Sequence, residues 1–445
     1  MVTSYTALVD VIAADISAGR LKAGERLPPQ RQFAYEKGIA ASTAARVYAE
    51  LLLRGLVIGE VGRGTFVAGQ AQLPALPVEP FDGRIDLEFN FPSLPDQAGL
   101  IARSLAGWQQ PEALGAALAP VTQRRLAEAG RVSADFFATD HWRPRPENLL
   151  FAGSGRQSIA AAVSALVPVG GRLAVEALTY PMIKGIATRL GLTLVPIAMD
   201  KDGIRPDALA KAHRATSLSA VYLQPVIQNP LGRTMSKARR EELLRVASKL
   251  DLMIVEDRIY GFLTDEPPLA AEAEERTILI DSLSKRLAPG IAVGFLHAPP
   301  QWRERLAVAV RTGSWSVTPL ALATGMHLLA DGTAAEITRR KRADAGVRQA
   351  IVADCLAGHR IEADPRSYHA WLELPEGWRA EALTAAAARA GIAITPASAF
   401  AIAPGHSPNA VRLALGLPSH AELRQALMRL AALLAARAEE ADVTE

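Results

Sequence analysis

One cysteine in 445 residues cannot form an internal disulfide, and its scarcity fits a reducing compartment. Cys355 itself reads as a small buried or neutral residue, not a catalytic thiol. Aromatic residues make up 5% of the chain, which argues against broad surfaces for stacking single-stranded bases. Long hydrophobic runs are missing too: none approaches the roughly 18–20 residues that span a bilayer. Asp10 and Asp15 interrupt the first apolar stretch, which reads against a secretory leader. Nor does charge of one sign dominate. A net charge of +3 means that any contact with nucleic acid is local, not a coat over the whole surface. The expectation is a cytoplasmic protein that makes no use of a membrane.

What is present is a large core. The chain is 49% hydrophobic and 21% charged, ordinary for a globular protein, and its length calls for two or three domains. Residues 1–68 read as three helices and a hairpin. Leu8, Val9, Val11, Ile12 and Ile16 have helical spacing over 5–18, a short helix follows Pro28-Pro29, and a third runs over 41–54. Two alternating runs, 56–60 and 64–69, flank the turn Val61-Gly62-Arg63. Residues 69–85 carry Pro74, Pro77 and Pro80 with little periodicity and read as a semi-rigid linker. In the body, 86–440, apolar runs at 149–151, 172–176, 192–197, 220–224, 253–256, 277–281 and 292–297 alternate with alanine-rich helical stretches. That alternation predicts a mostly parallel sheet wrapped by helices, followed from about 347 by a smaller α+β lobe.

The run Gly24-Glu25-Arg26-Leu27-Pro28-Pro29-Gln30-Arg31, with Gly62-Arg63-Gly64-Thr65-Phe66-Val67 further on, resembles the GntR winged helix-turn-helix family. The resemblance implies that the 41–54 helix enters the major groove of double-stranded promoter DNA while the glycine-flanked wing meets phosphate. Arg31, Thr43, Arg46 and Arg63 are the expected contacts. The charge is modest, since eight basic against six acidic residues leave +2 over 1–68. The pair that is usually Ser-Arg in this family is Ala40-Ala41 here, so sequence preference should differ from that of relatives.

Ser282-Leu283-Ser284-Lys285-Arg286-Leu287-Ala288-Pro289-Gly290 resembles the lysine motif of α/β fold-type I transferases that depend on pyridoxal 5′-phosphate (PLP). Such chemistry needs an amine to condense with the cofactor aldehyde, and hydroxyls beside it for the phosphate. By the resemblance, Lys285 is the catalytic amine and Ser282 and Ser284 lie at the phosphate. Asp257 pairs with the pyridine nitrogen, Tyr260 and Asn229 reach the ring oxygen, and Tyr180 stacks on the ring. The loop Gly153-Ser154-Gly155-Arg156-Gln157 opens a helix whose free N–H groups would hold the phosphate, which brings in Gly155. Arg412, in Asn409-Ala410-Val411-Arg412-Leu413, matches the arginine that grips a substrate carboxylate.

Two departures stand out. The family's phosphate-binding arginine is Ala292 here, and no tyrosine-glycine element is evident around 118–121. Arg156 is therefore expected to supply the missing cation. Arg286 is the competitor, expected to point away if the backbone there is extended. Head, linker and body together resemble the MocR subfamily of GntR regulators. They imply a homodimeric regulator whose body senses PLP, an amino-acid or amine effector, or both. Two other readings remain open: an active aminotransferase with a vestigial head, and a regulator that has lost PLP.

Overall fold

The computed structural model describes residues 5–442 except 19, 23, 54–55, 61–63, 68–83 and 404–406. Arg63 and nearly all of the expected linker lie outside the described residues. The chain divides into two compact units, Met1–Leu76 and Pro77–Glu445.

In the first unit, helices Tyr5–Ser17, Gln30–Lys37 and Ala41–Leu53 enclose a core of Val9, Leu27, Phe33, Val47 and Leu51, closed by Val57 and Val67 of the hairpin. The apolar spacing of the first and third helices puts one stripe of each inward. Gly38 ends the second helix in the left-handed conformation, with φ 60°. The hairpin Val57–Glu60 with Gly64–Val67 is antiparallel, in the register Val57↔Val67. Gly64 has φ +123°, and a Cβ there would lie 2.7 Å from Nε of Arg26, so the hairpin needs glycine at this position.

The second unit is built on a seven-stranded sheet. In spatial order its strands are Leu149–Ala152, Gly294–His297, Thr277–Ser282, Met253–Asp257, Ala220–Leu223, Arg172–Glu176 and Thr193–Ile197. All neighbours are parallel except at Gly294–His297, which is antiparallel to both strands beside it. The central strands are buried along their whole length, and for that reason they read as continuous apolar runs in the sequence.

Helix Thr333–Cys355 joins this lobe to a smaller one, where Arg360–Glu362, His369–Glu373, Ala410–Ala414 and Thr395–Pro396 form a four-stranded sheet under helix His420–Asp442. A start near 347 omits part of this lobe. Ile85–Asp86 pairs in parallel with Ile392–Ala393, and Leu87 is fully buried in the small lobe's core. No helix among the described residues is long and apolar enough to cross a membrane.

Candidate functional site

The carboxyl ends of parallel strands are where open α/β sheets collect functional groups. Asp257 ends Met253–Asp257 and is buried. Its Oδ2 accepts from Tyr222 Oη at 2.6 Å and Gln224 Nε2 at 3.1 Å, and its Oδ1 accepts from the Ile259 amide at 3.0 Å. Burial pushes its pKa up to about 6 against these three donors. Gln224 also accepts the Asn229 amide at 3.1 Å, so one side chain ties Asp257 to Asn229.

On the neighbouring strand, Ser282 ends Thr277–Ser282 and caps the single helical turn Leu283–Arg286. Its Oγ accepts from the Ser284 amide at 3.1 Å and lies 3.0 Å from Ser284 Oγ. Helix Gly155–Leu166 brings its amino end against these serines. A Cβ on Gly155 would come within 3.2 Å of Ser282 Cβ, so only glycine allows the approach without a shift. Ser154 caps this helix by accepting from the Gln157 amide at 3.3 Å. Arg156 stands exposed on its first turn, and its charge lowers the pKa of both Lys285 and Tyr180. Ala292 is half-buried and offers no polar group.

Arg286 faces elsewhere, for a reason other than the expected one. The backbone at Leu283–Arg286 is helical, not extended. The guanidinium is buried, pairs with Asp281 at 2.8 Å and lies 5.3 Å from the rings of Phe136, Phe137 and Phe262.

Lys285 donates from Nζ to the main-chain oxygen of Asn90 and sits 3.4 Å from the centre of the Phe91 ring. Burial, then Arg412, Arg156 and Lys341, hold its pKa well below the ordinary lysine range, with Asp257 opposing. An easily deprotonated amine is the form that attacks a carbonyl carbon. Its loop is braced from helix Thr333–Cys355 by the fully buried Lys341, which donates to the main-chain oxygens of Lys285 at 3.0 Å and Leu287 at 2.7 Å. Burial and then Arg286 lower the Lys341 pKa to about 7.

The small lobe contributes Arg412 from the middle of Ala410–Ala414, paired with Trp371 and Thr395 on either side. It donates to Asn229 Oδ1 at 3.2 Å, to Thr395 Oγ1 at 3.1 Å and to the main-chain oxygen of Glu88. Its Nε is buried without a partner. Tyr260 Oη accepts from Asn90 Nδ2 at 2.9 Å, and its ring lies 5.4 Å from that of His369. Burial raises the pKa of Tyr180 to about 12, tempered by Arg156 and Arg412.

Asn90 thus bridges Lys285 and Tyr260, while Gln224 bridges Asp257 and Asn229, and Asn229 bonds Arg412 directly. Sequence reasoning missed Asn90, Gln224 and Lys341, and none of them sits in a motif. In the first unit, Arg31 and Arg46 are exposed and Thr43 is half-buried. Thr43 and Arg46 lie three apart on one helix and so share a face. No group of three or more His, Cys, Asp or Glu among the described residues could hold a metal ion.

Residues 112–430 match the model of the aminotransferase class I and II family, and residues 4–67 that of the gntR family of bacterial regulatory proteins. The chain is 29% identical to the uncharacterized HTH-type transcriptional regulator YdeF of Bacillus subtilis, over 97% of this chain and 94% of that protein. It is 26% identical to the vitamin B6 salvage pathway transcriptional repressor PtsJ of Salmonella typhimurium, over 90% and 92%. Among solved structures it resembles the α-aminoadipate aminotransferase LysN of Thermus thermophilus, complexed with N-(5′-phosphopyridoxyl)-L-leucine. The TM-score is 0.70 at 23% identity, covering 80% of this chain and 94% of that one, a likeness of fold.

Proposed function

Because the chain belongs to the aminotransferase class I and II family and carries a GntR-type head, we propose that it is a PLP-dependent, DNA-binding transcription regulator whose aminotransferase-like body senses PLP, an amino-acid-like effector, or both. The observation that carries this reading is the union, in one chain, of a winged-helix core with a pocket that keeps both a lysine of lowered pKa and a buried arginine. That the related PtsJ is a repressor of the vitamin B6 salvage pathway supports a cofactor-linked signal.

The pocket's residues fit PLP. Asp257 is a buried carboxylate for a protonated ring nitrogen, and the serine pair faces a helix amino end made approachable by Gly155. The buried Nε of Arg412 has no partner and is a donor that a carboxylate would satisfy. When bound, PLP supplies an electron sink and a carbonyl carbon for amines. In this reading Lys285 holds it covalently, and Asp257 keeps its ring nitrogen protonated. Tyr260 and Asn229 meet its ring oxygen, and Tyr180 covers one face. Ser282, Ser284, Gly155 and Arg156 take the phosphate. The loss of a phosphate arginine at Ala292 weakens that grip and argues against a fast aminotransferase. Slow transamination is compatible with regulation.

The route to the head lies in residues 88–91. The main-chain oxygens of Glu88 and Asn90 occupy Arg412 and Lys285, the guanidinium and the amine that a ligand carboxylate and the cofactor claim. Filling the pocket competes for these two main-chain contacts, and the strap that makes them follows directly on the segment leading from the head. Arg31, Thr43, Arg46 and Arg63 are the DNA contacts in this reading. A homodimer would present two heads to paired half-sites with an avidity gain.

The test is binding of full-length protein to its own upstream DNA, with and without PLP and amino acids, at several salt concentrations. A preference over random DNA that shifts with PLP or an amino acid is expected. Equal affinity for both DNAs under every condition would refute the regulator. Light scattering at micromolar concentration should give a dimer mass.

A further inference from the structure

Asn90 sits where lysine, tyrosine and histidine of the pocket converge, and it is 4% exposed. Its Nδ2 donates to Tyr260 Oη at 2.9 Å and lies 3.2 Å from Nδ1 of His369, which Ser367 Oγ also approaches at 3.1 Å. The histidine contact fixes the orientation of the amide. His369 Nε2 faces the main-chain oxygen of Gln228 at 3.0 Å, and a carbonyl only accepts, so Nε2 carries the ring proton. Burial holds the pKa of this imidazole down at about 3, so the ring is neutral and Nδ1 is a bare acceptor. The amide nitrogen must therefore face Nδ1, and the amide oxygen turns the other way.

That oxygen, Oδ1 of Asn90, is buried and has no partner, as is Nε of Arg412. Buried polar groups are nearly always satisfied, and each exception calls for an explanation. One unmatched acceptor and one unmatched donor, in the same pocket, complement a molecule that brings a donor and a carboxylate. An incoming amine must approach Lys285, whose Nζ already bonds the main-chain oxygen of Asn90. The side-chain oxygen of the same residue is then at hand for an N–H.

We propose that Asn90 selects the effector: its side-chain oxygen accepts an N–H from an amine-bearing carboxylate held by Arg412, so that the ligand class is amino acids and not the corresponding oxo acids. An oxo acid turns a carbonyl oxygen toward Oδ1, acceptor against acceptor, and leaves the orphan unmatched. A site built for a hydrogen bond rejects the analogue that cannot make it far more strongly than an apolar pocket rejects a missing methylene. The proposal rests on the regulator reading and narrows it to one chemical class.

The experiment uses full-length protein loaded with PLP and then reduced with borohydride, so that the cofactor can no longer condense with an amine, and titrates it with L-alanine against pyruvate and L-glutamate against 2-oxoglutarate, followed by tryptophan fluorescence. The readout is the ratio of the two dissociation constants within each pair. The wild type should favour the amine in at least one pair by about tenfold or more. Asn90→Leu keeps the volume, removes both ends of the amide, and should bring that ratio near one. An undiminished preference in Asn90→Leu, or equal binding of amino and oxo acids by the wild type, would overturn the assignment. A wild type that takes up no PLP would strike the parent reading, and this one with it.

Discussion

Changing Arg156 to glutamine removes the cation expected to compensate for Ala292 at the cofactor phosphate. A charge-assisted hydrogen bond is typically worth about 1.5–3 kcal/mol, but that range applies to sheltered groups. Arg156 is exposed on the first turn of Gly155–Leu166, where water and salt screen the pairing and pull its worth toward about 1 kcal/mol. The helix amino end continues to attract the phosphate in the variant, so the loss is partial. PLP should therefore bind Arg156→Gln about five- to tenfold more weakly, a difference that shrinks with added salt. Equilibrium dialysis read at the cofactor's visible absorbance measures it directly. Arg286→Gln is the control, because Arg286 is already committed to Asp281. It should leave the PLP dissociation constant near wild type while costing about 3–5 kcal/mol of stability, since a buried aspartate loses its partner. An unchanged constant in Arg156→Gln, with release of cofactor by Arg286→Gln, would refute the reasoning and transfer the role to Arg286.

Lys285→Ala should abolish cofactor trapped on the protein by borohydride, and equal trapping in wild type and variant would remove Lys285 from its role. Arg31→Ala and Arg46→Ala should each weaken DNA binding and lower the slope of log affinity against log salt by about one if they meet phosphates, checked by fluorescence anisotropy. PLP affinity should fall with acid, because pairing with the ring nitrogen needs Asp257 ionised and its pKa is about 6. The contribution is complete well above pH 6 and is lost as pH drops through it, by up to about tenfold per unit. Asp257→Asn should remove that component and leave only the background set by the phosphate's own titration. Amide exchange over residues 85–92 should change when PLP and an amino acid are bound together, and unchanged protection there would exclude the strap as the route to the head.

The large lobe was legible because its strands are covered on both faces. Each of the seven apolar runs became one of the seven strands, and their flanking residues, Asp257 and Ser282 among them, fell at the carboxyl ends where the pocket forms. The small lobe's first strand was not legible. Ile85–Asp86 is two residues long, too short to show a period, and its partner lies some three hundred residues away. Lys341 was missed for a different reason. It stands in Arg339-Arg340-Lys341-Arg342, a charge run that reads as a solvated helix face, yet it alone of the four is fully buried. Helical geometry explains the exception: successive residues turn by about 100°, so one member of a basic run can face the core while its neighbours face water.

Asn90 carries no local signal at all. Its partners Tyr260, Lys285 and His369 stand 170, 195 and 279 residues further along the chain. A motif records residues that one backbone segment must hold in register, such as the serines beside Lys285. Asn90 is instead delivered by a segment that pairs with the small lobe and contacts a lysine of the large one, so its meaning depends on how the two lobes meet. Residues that determine which ligand fits are the least legible in a sequence for this reason: cofactor chemistry constrains one loop at a time, whereas selectivity is assembled across the cleft.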